Sequence, residues 1–273
     1  MVSFGVSSMF FHEYTSDEIF SFASRAGLDA LEFWLETPHF WLRNLPVQEV
    51  VESRNRHSCI TTLNVHTPVL DLNPCSINPD VAAVSVMSAT RSISIAESLG
   101  ACILTVHPGR RTAKRPPGKA DEERFRTYIA TIREAATGNH IRIAMENMEA
   151  QVNSLLCTPE KMREVLDDEP WLFFTFDTAH ALGQSENEAM RYIDLCSDRL
   201  VNVHISRADG NRLHLPLDQD PVIARLLASL GDHDFSGSLI LEIDDLNFSR
   251  SLSVDEKIAI LQRDSAFMHK CMD

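Results

Sequence analysis

The sequence predicts a single-domain (β/α)8 TIM barrel of the α/β class spanning residues 1–273, and three observations carry that expectation. β-branched and aromatic runs alternate with amphipathic stretches at intervals of about 25–40 residues, the rhythm of repeated βα units. The length of 273 residues suits one barrel, typically roughly 250 residues. Finally, successive β-rich runs end in a residue able to hold a metal: TLNVH at His66, ILTVH at His107, RIAME at Glu146, LFFTFD at Asp177, LVNVH at His204 and LILE at Glu242. In such a barrel the C-terminal strand ends converge on one face, where active sites are built.

The elements follow in order. A first strand is expected over Ser3–Ser8, then a helix capped by Ser16 and stopped at Gly27. A strand over Ala30–Trp34 precedes a helix from Pro46 to about His57, proline being suited to a first turn. Thr61–His66 and Cys102–His107 are the third and fourth strands, separated by a helix over Val81–Leu99 that Gly100 ends. A fourth helix, Ala120–Thr137, ends at Gly138. Arg142–Glu146 is followed by Thr158-Pro159-Glu160, an N-cap with proline at the first helical position, opening a helix to Asp167. Phe173–Asp177, Leu200–His204 and Ser238–Glu242 complete the strands. Glu186–Cys196, Pro221–Leu230 and Val254–Met272 complete the helices.

Composition narrows the class. A net charge of −14 argues against broad nucleic-acid binding, which uses basic surface. The six cysteines include no CxxC pair, and Cys59, Cys102 and Cys196 lie in or beside apolar runs, so buried thiols are expected rather than disulfides. The N-terminal MVSFGVSS has neither a basic region nor a long apolar core, and no run approaches the roughly 18 apolar residues of a membrane span. A cytoplasmic protein without membrane association is expected, and a homo-oligomer is compatible with the sequence.

Imidazoles and carboxylates at the strand ends suit zinc, manganese or iron, and the lack of cysteine there argues against a thiolate-rich structural zinc site. A lone histidine ending a strand is more often a packed or hydrogen-bonded side chain. Repetition over successive strands changes that balance, because burying so many ionisable groups together is costly without a cation. Asp177 and His180 sit three residues apart and face the same way if the chain turns helically there; helix capping by Asp177 is the alternative.

These motifs (VHTP, VHPG, MEN, FDTAH, VHIS and LEID) resemble those of the xylose isomerase-like TIM-barrel superfamily over nearly the whole chain. That superfamily includes sugar isomerases and epimerases and endonuclease IV, a family 2 apurinic endonuclease. The resemblance to the ketose epimerases implies one divalent ion, zinc or manganese, on Glu146, Asp177, His204 and Glu242. In that branch Glu146 and Glu242 pass a proton as base and acid, and His180 binds a substrate oxygen. The resemblance to endonuclease IV implies a further ion on His66, His107 and a bridging Glu146. It also implies a third on His180, His214 and an aspartate two residues before His214. Arg212 stands at that last position, and Val69 stands where endonuclease IV carries a tyrosine used against DNA. One ion is therefore expected, with room for a second at His66, His107 and Glu146.

Other features complete the expectation. RRTAKRPPGK, residues 110–119, could steer a phosphate, or be a solvated loop stiffened by Pro116 and Pro117. Arg207 and Arg212 could grip a substrate phosphate or carboxylate, or form surface ion pairs with Asp209 or Asp218. Phe40 and Trp41 could form an apolar lid. Glu32 could point into the barrel and hydrogen-bond a ligand histidine, or form a salt bridge there. The leading expectation is a divalent-metal-dependent isomerase or epimerase of a sugar, sugar phosphate or polyol, with a small sugar-like substrate as partner and nucleic acid disfavoured. The runner-up is an endonuclease IV-like zinc phosphodiesterase acting on abasic DNA, and a non-catalytic metabolite-binding barrel is a third.

Overall fold

The computed structural model describes residues 2–210 and 212–272. Eight parallel strands close a barrel: β1 (Ser3–Ser7), β2 (Ala30–Trp34), β3 (Thr62–His66), β4 (Ile103–Val106), β5 (Arg142–Glu146), β6 (Phe173–Asp177), β7 (Leu200–Ile205) and, last, β10 (Ser238–Leu241), which pairs with β1. Between β7 and β10 a short antiparallel hairpin, β8 (Arg207–Asp209) and β9 (Arg212–Leu215), rises from the C-terminal end of β7. The expected strands are all present within a residue or so at each end.

The helices are α1 (Ser16–Arg25), α2 (Pro38–Trp41), α3 (Val47–Arg56), α4 (Pro79–Ser98), α5 (Lys119–Ala136), α6 (Pro159–Asp168), α7 (Thr178–Leu182), α8 (Glu186–Cys196), α9 (Pro221–Asp232) and α10 (Val254–Met272). Their starts follow local chemistry. Thr15, not Ser16, caps α1, in a reciprocal box with Glu18 that satisfies two otherwise orphaned amides. Asn78 and Asp220 cap α4 and α9 ahead of Pro79 and Pro221, and Thr158 caps α6 ahead of Pro159. The short α2 and α7 and the β8–β9 hairpin are additions to the sequence-based pattern, each lying just past a strand end.

Between strands and helices the core is apolar. The barrel's interior differs, because a polar layer crosses it directly beneath the mouth. Asn202 Nδ2 donates to Glu32 Oε2 at 2.7 Å and lies 3.2 Å from Thr105 Oγ1. Asn64 Nδ2 donates to Asn202 Oδ1 at 3.3 Å, and the Thr105 and Thr175 hydroxyls meet at 3.1 Å. All five side chains are fully buried, so these bonds stand in for water.

Strand approach is tightest where β10 begins. A Cβ on Gly237 would lie 2.1 Å from the Val201 carbonyl oxygen, a backbone atom that cannot swing aside. Gly237→Ala is expected to cost about 3 kcal/mol as β7 and β10 are forced apart. The check is a lower denaturant midpoint at unchanged slope; a variant as stable as the parent would contradict the packing.

Two cysteine expectations are corrected. Cys59 and Cys102 are exposed, lying at helix-to-strand turns outside the barrel wall, whereas Cys196 and Cys75 are buried. All six are free thiols. No helix among the described residues is long and apolar enough to cross a membrane.

Candidate metal centre

The C-terminal ends of β3 to β7 and β10 bring their polar residues together. Three groups have ligand atoms all within 4.8 Å of one another: His66, His107 and Glu146; Glu146, Asp177, His204 and Glu242; and Asp177, His180 and His214. Glu146 belongs to the first two and Asp177 to the last two, so the groups form one continuous centre. The third group uses Asp177 where resemblance to endonuclease IV places a further aspartate. Arg212 points its charge elsewhere, into an exposed ion pair with Asp209.

Three of the histidines, His66, His180 and His204, are oriented by a bond from one ring nitrogen to a carbonyl or carboxylate. His66 Nδ1 lies 2.7 Å from the Thr67 carbonyl, which fixes the proton there and turns the Nε2 lone pair to Glu146 Oε2, 3.3 Å away. His107 Nε2 reaches the same oxygen at 3.0 Å. His180 Nδ1 donates to the Asn147 carbonyl at 2.8 Å. His204 Nε2 lies 2.7 Å from Glu32 Oε1, the carboxylate–imidazole arrangement that raises the basicity of the other nitrogen. His204 Nδ1 then faces Glu242 Oε2 at 2.7 Å and Glu146 Oε1 at 3.5 Å.

Asp177 divides its oxygens between the two roles its position suggested. Oδ1 caps α7 by accepting from the His180 amide at 2.7 Å, while Oδ2 stays in the centre. Asn147 holds this turn, accepting from the Asp177 amide at 2.7 Å and donating to its carbonyl at 3.0 Å. Sequence reasoning passed over Asn147, although it is the last letter of the MEN motif. His214 arrives from the hairpin with φ of 57°, a left-handed conformation that is costly for a residue with a Cβ. Its carbonyl accepts from the Asp244 amide at 2.9 Å, so the loop after β10 holds the turn.

The electrostatics are those of a cation site. Burial opposes ionisation of Glu146, but His107 and His204 beside it hold its carboxyl well below the usual range. Glu242 is likewise lowered, burial being outweighed by His204. Burial pushes Asp177 up, against the pull of His180 and His214. Burial also lowers His107, opposed by Glu146. His204 is raised well above an ordinary imidazole, because Glu242, Glu32 and Glu146 overcome its burial.

Among the described residues three buried atoms of the second group make no hydrogen bond of good geometry: Asp177 Oδ2, and His204 Nδ1 and Glu242 Oε2, which face each other at 2.7 Å. Unpaired buried donors and acceptors are costly, and a cluster of them facing one another fits a divalent ion. With its Nε2 proton held by Glu32, the His204 Nδ1 lone pair can sit against a carboxylate only with a proton or a cation between them. Cation loading at neutral pH is therefore expected to expel about one proton, and affinity should fall as pH falls, since the raised His204 pKa makes the proton the stronger competitor. Calorimetry in buffers of different ionisation enthalpy measures this; a buffer-independent heat would contradict it.

The substrate-contact expectations fare differently. Phe40 is fully buried, its ring edge-on to Phe33 at 5.2 Å, so it is core and not lid. Its neighbour Trp41 is 42% exposed. Arg207 is committed to Asp218 at 3.0 Å and to the Pro216 carbonyl at 3.3 Å. Neither Arg207 nor Arg212 is therefore a free anion grip. Glu32, expected on the barrel interior, lies there and bonds His204.

A family model described as xylose isomerase-like TIM barrel matches residues 20–270. A protein of Methanocaldococcus jannaschii named uncharacterized protein MJ1188 is 29% identical over 271 residues, covering 98% of both chains. A solved D-tagatose 3-epimerase-like protein superposes with a TM-score of 0.77 at 23% identity, covering 98% of each chain. The D-allulose 3-epimerase from Methylomonas sp., in complex with D-allulose, superposes with a TM-score of 0.79 at 18% identity, covering 98% of this chain and 96% of its own. At these identities the solved structures show a shared fold.

Proposed function

The chain belongs to the xylose isomerase-like TIM barrel family, and from that premise we propose that it is a divalent-metal-dependent isomerase or epimerase of a sugar or sugar derivative. The observation that carries this reading is the pair Glu146 and Glu242, both buried, both with carboxyls lowered by neighbouring imidazoles, and both within 3.5 Å of His204 Nδ1. Glu146, Asp177, His204 and Glu242 would hold the ion, zinc or manganese. Once bound, it would supply Lewis-acid polarisation of a substrate carbonyl or hydroxyl.

The chain's own residues do the proton work. One glutamate takes a proton from the carbon beside the carbonyl, and the other returns one to the opposite face. His180, with Nδ1–H fixed on the Asn147 carbonyl, presents Nε2 to the mouth, where it can accept from a substrate hydroxyl. Burial of the whole set keeps bulk water from quenching the carbanion. The solved epimerases that share the fold support the substrate class by analogy.

A second reading, phosphodiester hydrolysis of the endonuclease IV type, is favoured by the two additional groups, His66–His107–Glu146 and Asp177–His180–His214. Elemental analysis joined to an assay separates the two. One ion per chain, with deuterium from solvent entering a ketohexose at carbon 3, supports the epimerase. Three ions per chain, with cleavage of an abasic duplex, replaces it.

A further inference from the structure

We propose that the substrate of this centre carries a terminal oxyanion, phosphate or carboxylate, seated by Arg110 in a pocket beside His107. The inference rests on the reading of the centre as a sugar isomerase or epimerase and specifies the kind of sugar. The pocket lies among the loops that follow β3, β4 and β5, and its lining includes Thr67, His107, Arg110, Gln151 and Ser154. It adjoins the centre through His107. His107 is in both, and Thr67, another lining residue, orients His66 through its carbonyl.

Arg110 belongs to the minority of arginines that hold no carboxylate. Most are tied to a carboxylate, as Arg207 is to Asp218 and Arg225 is to Glu186. Among the described residues, no carboxylate lies within ion-pair distance of Arg110. Arg110 is exposed, yet its backbone amide and carbonyl are both held by the buried Asn73. Asn73 Oδ1 accepts from the Arg110 amide at 3.0 Å, and Asn73 Nδ2 donates to its carbonyl at 2.9 Å. Arg110 also bridges Ser154. Next along the chain, Asn153 Nδ2 donates to the Arg111 carbonyl at 2.8 Å, and the Arg111 amide returns a bond to the Asn153 carbonyl at 2.9 Å.

Gly109 completes the turn with φ of 77°, and a Cβ there would lie 2.8 Å from Asn73 Oδ1. A surface loop with no task does not need this bracing. A guanidinium on a rigid base, unpaired in a chain of net charge −14, is prepared for an anion brought from outside. The one acid on the pocket wall, Glu149, is engaged by the Gln151 amide. Ser154 adds a hydroxyl on the same wall. His107 Nε2, on the pocket wall, is 3.0 Å from Glu146 Oε2, so a sugar bound at Glu146 lies next to this pocket.

The test measures affinities of the metal-loaded protein for D-fructose, D-fructose 6-phosphate, 5-keto-D-gluconate and inorganic phosphate. Parent protein should bind at least one of the two anionic sugars about 30-fold more tightly than fructose, the worth of a charged hydrogen-bonded pair. Arg110→Ala should erase that preference and leave fructose affinity unchanged. Arg115→Ala, on the same loop but outside the pocket, should leave both unchanged. Which anionic sugar is preferred distinguishes phosphate from carboxylate. Equal affinity for charged and neutral sugars in the parent, or a preference that survives Arg110→Ala, would overturn the proposal. Arg110-dependent binding of phosphate without binding of any sugar would support the oxyanion seat while removing the sugar reading. Arg110-dependent binding of an abasic duplex instead would assign the seat to a phosphodiester and overturn it.

Discussion

Glu146→Gln is expected to lower turnover by about 10³-fold, while the barrel still folds. No other side chain stands in so many of the centre's contacts. Its Oε2 meets His66 and His107 at 3.3 and 3.0 Å, and its Oε1 lies 3.5 Å from both His204 and His180. Glutamine keeps the volume but removes the charge and turns an amide N–H₂ toward one of these sets. Both the proton-transfer role and the attraction for a cation are lost together. The measurement is exchange of solvent deuterium into a ketohexose, with far-ultraviolet circular dichroism as the control for folding. A variant retaining a tenth of the parent rate would remove Glu146 from the reaction.

His204→Ala is expected to abolish metal binding and activity together. The imidazole is almost fully buried and sits between Glu32 on one nitrogen and Glu242 on the other. Its removal strands a buried Glu32 carboxylate, which is strongly destabilising in its own right. Glu32→Gln is therefore the informative companion. It keeps the imidazole and its volume but weakens the charge that fixes the Nε2 proton, and should cost about 10–100-fold in metal affinity with a preserved fold. Cys196→Ala, a substitution beside the Pro159 carbonyl on the outer helices, should leave metal content unchanged. Elemental analysis after dialysis reads all three, and a fully active His204 variant would falsify the site.

Much of this centre was legible because strand ends in a barrel share one destination. The runs ending at His66, Asp177 and His204 needed no three-dimensional information to be placed on one face, and Glu32 followed from alternation along β2. The failures have physical causes. Phe40 and Trp41 are adjacent aromatics, and only packing against Phe33 shows that Phe40 is the inward one. For Arg207 and Arg212 the sequence left open an anion grip or ion pairs with Asp209 or Asp218, and only the folded hairpin, which brings Arg207 to Asp218 across eleven positions, selects the ion pairs. The hairpin carrying His214 uses strands of three and four residues, too short for a period-two signal to emerge. Cys59 and Cys102 show that apolar neighbours in sequence do not bury a side chain at a turn. Asn147 and Asn73 act through backbone contacts, which residue type alone does not announce.

The polar layer beneath the mouth has a consequence for how such a chain can diverge. Asn202 joins Glu32, Asn64 and Thr105 at one junction, so altering any member alone leaves its neighbours without partners in a place no solvent reaches. Relatives should therefore inherit this quartet intact or exchange it as a block, and descendants free to trade their rim loops for new specificities would still share the same floor.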